Sequence, residues 1–454
     1  MHACKLAIIM NTEQLQKMDR KHHLHPFTNH KDMHGEGTHI IRSAKGIYVT
    51  DETGCTLLDG LAGLWCVNVG YGRTEIVDAV TQQMKEVAFY PSFFNTSTES
   101  AIRLADRLIA LAPKRLTHAF FSNSGSEANE TALKLIRAYQ KLKGTPSKTK
   151  ILTLNCGYHG VTLATTSMTQ LPSCQTPFDL PLPGFIQVPG PYRYGANTDL
   201  GPVQYGNWCI AETEKLIQKE GAETIAALFA EPVQGAGGVI VPPEGYLAQL
   251  RELCRKNQIL FVADEVITAF GRLGDWFASN LWNLDPDLLT TAKGITSGYL
   301  PLGATLVSDE ISKTLIAGGY LAHGSTYSGH PTSCAAALAN LALIEKEGLI
   351  ARTRDITGPY FQSRLREFEG HRAVGEVRGF GLIGAIELLP KNGKAGLSPD
   401  SPMGPKAVKL AREEGIIVRG IRDLIAMAPP LIIEKTEIDT LMAATKRVLD
   451  RLWD

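Results

Sequence analysis

Residues 259–294 read ILFVADEVITAFGRLGDWFASNLWNLDPDLLTTAKG, and two short apolar runs inside them decide the fold. Ile259–Ala263 and Leu288–Thr291 have the length of buried strands rather than helices. Each leads into a charge, Asp264 after the first and Lys293 just after the second. Further runs of the same kind are Ala119–Ser122, Ile151–Leu154, Ile225–Ala230 and Ala304–Val307. Ala128 to Lys143 and Gly245 to Lys256 carry apolar residues at helical spacing between them. Strands alternating with crossover helices predict an α/β fold with a mostly parallel sheet.

That sheet is expected in a large domain over residues 76–338. Residues 339–454 open with helix and continue with the strand-like Val377–Leu388 and a last helix near Glu437–Leu452, which predicts a smaller α+β domain. Residues 1–75 are expected to join it. The Pro- and Gly-rich stretch from Leu171 to Gly206 reads as an ordered surface excursion with no long regular element.

Composition narrows the partners. The 454 residues carry 46 basic and 46 acidic side chains without blocks, which gives no footprint for nucleic acid or an anionic membrane. No apolar run approaches the roughly 18 residues of a membrane span. A small-molecule partner is expected. Eight cysteines are scattered without a Cys-x-x-Cys spacing, the usage of a protein in a reducing cytoplasm. The first ten residues, MHACKLAIIM, are too short in their apolar part for a signal peptide, and Met10 is an alternative start.

In open α/β sheets ligands sit beyond the carboxyl ends of the strands. Here five expected strands are followed by chemically loaded groups: Ser124-Gly125-Ser126, Tyr158-His159, Glu231, Asp264 and Lys293. In the stretch Asn123 to Glu130 a strand ends, a glycine turns the chain and a helix begins, so its free N–H groups and dipole suit a phosphate. A plain serine N-cap is the alternative reading. Asp264 ends an apolar strand, where a carboxylate needs a cationic partner. A protonated pyridine nitrogen is such a partner. A partly desolvated lysine such as Lys293 beside an aldehyde forms a Schiff base.

The strings Asn123-Ser124-Gly125-Ser126-Glu127, Gly157-Tyr158-His159-Gly160, Asp264-Glu265-Val266 and Ala292-Lys293-Gly294 resemble the class III aminotransferases, which are fold-type I pyridoxal-phosphate enzymes. More narrowly, residues 23–28 (HLHPFT), 63–73 (GLWCVNVGYGR) and 327–331 (YSGHP) resemble the ω-amine:pyruvate aminotransferases. The resemblance implies pyridoxal 5'-phosphate as cofactor, Lys293 as its covalent anchor and proton shuttle, and Asp264 as the partner of the ring nitrogen. It implies Glu231 near the ring hydroxyl, with Tyr158 and Val266 on the two ring faces. Ser124, Gly125 and Ser126 would form the phosphate seat, and His159 would be a further cofactor-binding residue. Thr326 would reach the phosphate of a neighbouring subunit, which implies a homodimer with sites at the interface. Phe27, Trp65, Phe93, Tyr158 and Ala236 would surround the amine, and Arg419 would bind the substrate carboxylate, with Arg422 as a competing candidate.

Two tempting signals carry little. Gly379-Phe380-Gly381-Leu382-Ile383-Gly384 fits G-x-G-x-x-G but runs into a strand, not a helix. His22, His23 and His25 share no i, i+4 pair on an expected helix and have no second cluster, so no metal is expected. The activity expected is ping-pong transamination from an amine to pyruvate, giving alanine and an aldehyde or ketone. The alternatives are another class III donor class (ornithine, 4-aminobutyrate, taurine or β-alanine), another reaction on the same cofactor such as a mutase, racemase or decarboxylase, or a protein without turnover.

Overall fold

The computed structural model describes residues 11–196, 198–390 and 403–453. The N-terminal ten residues, with Cys4 and the alternative start at Met10, lie outside them. Seven strands form the central sheet: β1 (Leu116–Ser122), β2 (Lys150–Leu154), β3 (Phe185–Val188), β4 (Ile225–Ala230), β5 (Leu260–Asp264), β6 (Leu288–Thr291) and β7 (Gly303–Ser308). Their order across the sheet is β1-β7-β6-β5-β4-β2-β3. Only β7 runs against its neighbours β1 and β6. The other pairings are parallel. The carboxyl ends of β1, β2, β4, β5 and β6 therefore share one edge of the sheet.

Strand β4 is buried at all six positions, so its sequence is a continuous apolar run rather than an alternation. The crossover helix after β1, Gly125–Leu142, turns Ala128, Ala132, Leu135, Ile136 and Tyr139 inward at helical spacing. Fully burying a leucine or isoleucine of this kind contributes about 1.5–3 kcal/mol.

Three expectations are corrected. Asp264 is the last residue of β5 itself, paired opposite Thr290, and not the first residue after it. The stretch from Leu171 to Gly206 contains the edge strand β3 and the start of the helix Pro202–Glu220. Its turn residues conceal both, because a four-residue edge strand fits between Gly184 and Pro189, and Pro202 starts a helix where its missing N–H costs nothing. The run Val377–Leu388 belongs to two antiparallel strands, Val374–Phe380 and Ile383–Leu388. Gly381 at φ 56° makes the turn, and a Cβ there would stand 2.6 Å from the Arg272 carbonyl oxygen.

Both chain ends contribute to the small sheets. Thr56–Asp59 pairs in parallel with Ile416–Ile417, while Leu424–Met427 extends the 374–388 hairpin. The helix Pro331–Lys346 runs unbroken through residue 338. No helix among the described residues is long and apolar enough to cross a membrane.

Candidate active site

At the carboxyl edge of β1, Ser124 caps the helix Gly125–Leu142 by accepting the Glu127 N–H at 3.1 Å. The N–H groups of Gly125 and Ser126 have no acceptor among the described residues. The Ser126 hydroxyl accepts from the Val161 N–H at 3.2 Å. A Cβ on Gly125 would lie 2.9 Å from both Val266 methyls, and one on Gly160 would lie 2.7 Å from Ser126 Oγ. Glycine at these two positions lets three segments close around a helix N-terminus with free donors, the requirement for an anion seat.

At the carboxyl end of β5, Asp264 is 2% exposed. Its Oδ2 accepts from His159 Nδ1 and from Asn129 Nδ2, each at 2.7 Å, and its Oδ1 accepts from the Val266 N–H at 3.1 Å. Asn129 is itself fixed, donating to the His159 carbonyl at 2.8 Å and accepting from the Thr290 hydroxyl at 2.8 Å. Burial alone would lower the His159 pKa, but the hydrogen bond to Asp264 and the attraction of Asp264 and Glu231 outweigh it and raise the value. Glu231 accepts from the Tyr158 and Gly235 N–H groups at 2.8 and 3.0 Å. Burial pushes its carboxyl up to about 7, with Asp264 adding to the rise and His159 opposing it.

Lys293 follows β6 in the left-handed region at φ 43°, a conformation a non-glycine residue adopts only under constraint. Asn340 supplies the constraint, donating to the Gly294 and Ile295 carbonyls at 2.8 and 3.0 Å. Lys293 Nζ has no hydrogen-bond or ion-pair partner among the described residues. It lies 5.8 Å from the Trp65 ring centroid. Burial lowers its pKa, opposed by Cys66, Asp264 and Glu231.

Arg419 stands over the same indole, its Cζ 5.5 Å from the ring centroid. Its Nε is buried without a partner, as is Trp65 Nε1. Burial lowers the Arg419 pKa, and Tyr158 opposes that shift. The Tyr158 hydroxyl is itself pushed up to about 12 by burial. Arg422, in contrast, donates to the Gly237 carbonyl at 2.7 Å.

The fold thus brings together Lys293, Asp264, His159, Glu231, Tyr158, Val266, Trp65, Arg419 and the 124–126 turn. Ala236 adjoins Gly235, which Glu231 holds. Phe93 packs at Gly324, two residues before Thr326. Phe27 is 73% exposed. Phe27, Phe93 and Thr326 share no hydrogen bond or ring contact with the lysine cluster among the described residues. Sequence reasoning missed Asn129, Thr290 and Asn340. Asn129 was legible in part, since it lies four residues after Gly125 on the same helix face. Thr290 and Asn340 carry no sequence signal, being ordinary residues of a strand and a helix.

The donor set fits pyridoxal phosphate: unpaired N–H groups for a phosphate, a buried carboxylate braced on both oxygens for a pyridinium, and a buried, unpartnered amine for an aldehyde. On such a sheet edge this set defines a pyridoxal-phosphate-dependent enzyme. Comparison with known proteins carries the assignment further. The class III aminotransferase profile matches residues 31–449. The putrescine–pyruvate aminotransferase of Pseudomonas aeruginosa is 42% identical over 97% of this chain and 96% of its own. An (S)-enantioselective omega-transaminase from Thermomicrobium roseum superposes with a TM-score of 0.94 at 43% identity, covering 98% of this chain and 100% of that one. The omega-transaminase of Pseudomonas jessenii in complex with PMP gives a TM-score of 0.92 at 39% identity, over 96% and 98% of the two chains. The protein belongs to the class III aminotransferases, pyridoxal-phosphate-dependent enzymes of fold type I.

Proposed function

We propose that this enzyme moves the amino group of an amine lacking a nearby carboxylate to pyruvate, releasing an aldehyde or ketone and then alanine. The observation that carries this reading is the isolation of Arg419. Arg378 is paired with Glu376 and Glu387 at 2.8 and 2.7 Å. Arg272 is spent on the Leu382 and Pro429 carbonyls and Asn68. Arg422 holds Gly237. Arg419 alone of these four has no hydrogen-bond or ion-pair partner among the described residues. A single guanidinium held only by stacking serves a monocarboxylate such as pyruvate and leaves an apolar pocket for an amine. A dicarboxylate acceptor would call for a second free cation.

Pyridoxal phosphate supplies the electron sink for bond cleavage beside the amine nitrogen. Gly125 and Ser126 would hold its phosphate, Asp264 its ring nitrogen and Lys293 its aldehyde carbon. Asn129 and His159 brace the Asp264 carboxyl group at the place where a pyridinium would meet it. Lys293 Nζ, with its pKa lowered by burial, takes a proton from the substrate carbon and returns it. Tyr158 and Val266 would cover the two ring faces, Glu231 would meet the ring hydroxyl, and Trp65 and Ala236 would wall the amine pocket with Phe27 and Phe93.

A homodimer completes this proposal. Met84, Tyr90, Phe94, Tyr320 and Tyr327 form exposed apolar surface, with Phe94 at 84% and Tyr320 at 87%. Phe89 and Tyr327 meet edge-on at 5.4 Å, so the two segments adjoin. Exposed aromatic surface of this kind marks an interface, and Thr326 lies within it to serve the neighbouring subunit's phosphate seat. The described residues of the 1–75 and 339–454 segments would form the small domain beside the 76–338 core, and the scattered cysteines favour a cytoplasmic enzyme.

The test is a half-reaction screen in which single amines are added to cofactor-loaded protein without acceptor and the cofactor absorption band is followed. A carboxylate-free amine should bleach the band, and pyruvate should restore it with formation of alanine. Bleaching by α-amino acids alone would defeat this reading and move the enzyme to another donor class.

A further inference from the structure

Asp19 lies in the last turn of the N-terminal helix Thr12–His22, and His23 is the extended C-cap of that helix, its N–H donating to the Asp19 carbonyl at 2.9 Å. His23 Nδ1 meets Asp19 Oδ1 at 3.0 Å, and His25 Nε2 lies 2.9 Å from both Asp19 oxygens. One ligand atom from each residue lies within 4.8 Å of those of the other two. The two imidazole centroids are 4.2 Å apart. Histidines at helical spacing do not mark this cluster, because the partner of His23 is an aspartate.

The cluster is held from outside. The Thr38 hydroxyl donates to Asp19 Oδ2. Thr38 is in turn tied to the helix, its carbonyl accepting from Gln16 Nε2 at 2.9 Å. The loop carrying His25 is fixed where the His25 N–H donates to His30 Nε2 at 3.0 Å. Hydrogen bonds of this kind, made to the ligands and not to the ion, orient a metal site and tune its affinity.

We infer that Asp19, His23 and His25 form a binding site for a borderline transition-metal dication of the zinc or nickel type. Two imidazole nitrogens and one carboxylate oxygen suit those ions, whereas magnesium and calcium prefer oxygen alone. Metal–ligand distances of about 2.0–2.1 Å put tetrahedral ligand atoms roughly 3.3 Å apart. Asp19 Oδ1, now 3.0 and 2.9 Å from the two imidazole nitrogens, has to part from them by only a few tenths of an ångström, and the nitrogens themselves lie within 4.8 Å of each other. His23 is 61% exposed, so water completes the coordination from the solvent side. The ion displaces the protons that now bridge the imidazoles to Asp19. It clips the end of the helix to the loop that leads to Phe27, two residues beyond His25. The site is independent of the transaminase assignment.

Zinc chloride titrated by calorimetry into chelator-treated, cofactor-loaded enzyme tests this. One ion should bind per chain, and the His23→Ala/His25→Ala double variant should weaken binding by about a hundredfold or more, while His22→Ala, altered in the same segment but outside the cluster, should bind as the parent does. Cobalt added to the parent should give the visible absorption of a tetrahedral site, lost in the double variant. Binding that persists unchanged in the double variant, or no saturable binding up to about 1 mM in the parent, overturns the inference.

Discussion

Replacing Arg419 by methionine separates carboxylate recognition from everything else the pocket does. Among the described residues the guanidinium has no hydrogen-bond partner, and it stacks on Trp65 at 5.5 Å. Its loss removes a cation–π contact worth about 0.5–2 kcal/mol and relieves the cost of burying a charge, so the melting temperature should barely move. With pyruvate bound, the same group would make two charge-assisted hydrogen bonds to a carboxylate. Truncating such a buried pair costs about 2–5 kcal/mol. The kcat/KM for pyruvate should fall by between about thirtyfold and a few thousandfold, at roughly 1.4 kcal/mol per factor of ten. Single-turnover kinetics of each half-reaction give the assay, and a carboxylate-free amine should react within about threefold of the parent. Arg422→Met is the control: it releases the Gly237 carbonyl, so it should lower stability by about 1 kcal/mol and affect both halves alike. Equal losses in both half-reactions for Arg419→Met, or a pyruvate-specific loss in Arg422→Met, would refute the reasoning.

Asn129→Ala removes a donor to the Asp264 carboxylate and the acceptor of the Thr290 hydroxyl. It should cost about 2–3 kcal/mol of stability and speed cofactor loss; an unaltered melt of the cofactor-free protein would count against the network. Glu231 titrates near 7 in the folded protein because burial disfavours its charge, well above its unfolded value. The folded state therefore holds the extra proton between about pH 4.5 and 7, so this group's contribution to stability is full at the acid end and is lost as pH rises through that window. Glu231→Gln should flatten that slope in melts of the cofactor-free protein between about pH 5 and 7.5, and an unchanged slope would rule out the assignment. Gly125→Ala drives a methyl into Val266 and should weaken cofactor retention at least about tenfold, as followed by equilibrium dialysis, whereas Gly125→Ala/Val266→Ala should recover most of it. Failure of the double variant to recover would mean that the backbone at 125, rather than space beside it, is what matters.

The sequence by itself determined six of the seven strands of the central sheet and the edge at which their loaded residues gather. Runs such as Ile225–Ala230 and Leu288–Thr291 were readable to the residue because both faces of these strands are buried, and burial writes itself as uninterrupted apolar sequence. It also marked Asp264 and Lys293, since a charge at the end of such a run is costly unless it is used. The family motifs, too, stand in the chain as strings. Tertiary structure alone decided what these marks mean to one another. The edge strand Phe185–Val188 was hidden because it is short and half-buried, so neither periodicity nor apolarity distinguishes it from a turn-rich loop. The proposed preference for Arg419 over Arg422 rests on which guanidinium meets a carbonyl oxygen, a contact with residue 237 that no local pattern records. The bracing of Asp264 by Asn129 and His159 and the left-handed turn at Lys293 held by Asn340 join residues from 45 to 135 positions apart. Hydrogen bonds across such separations depend on where the chain folds back, and that is set by packing of the whole core rather than by any stretch of it.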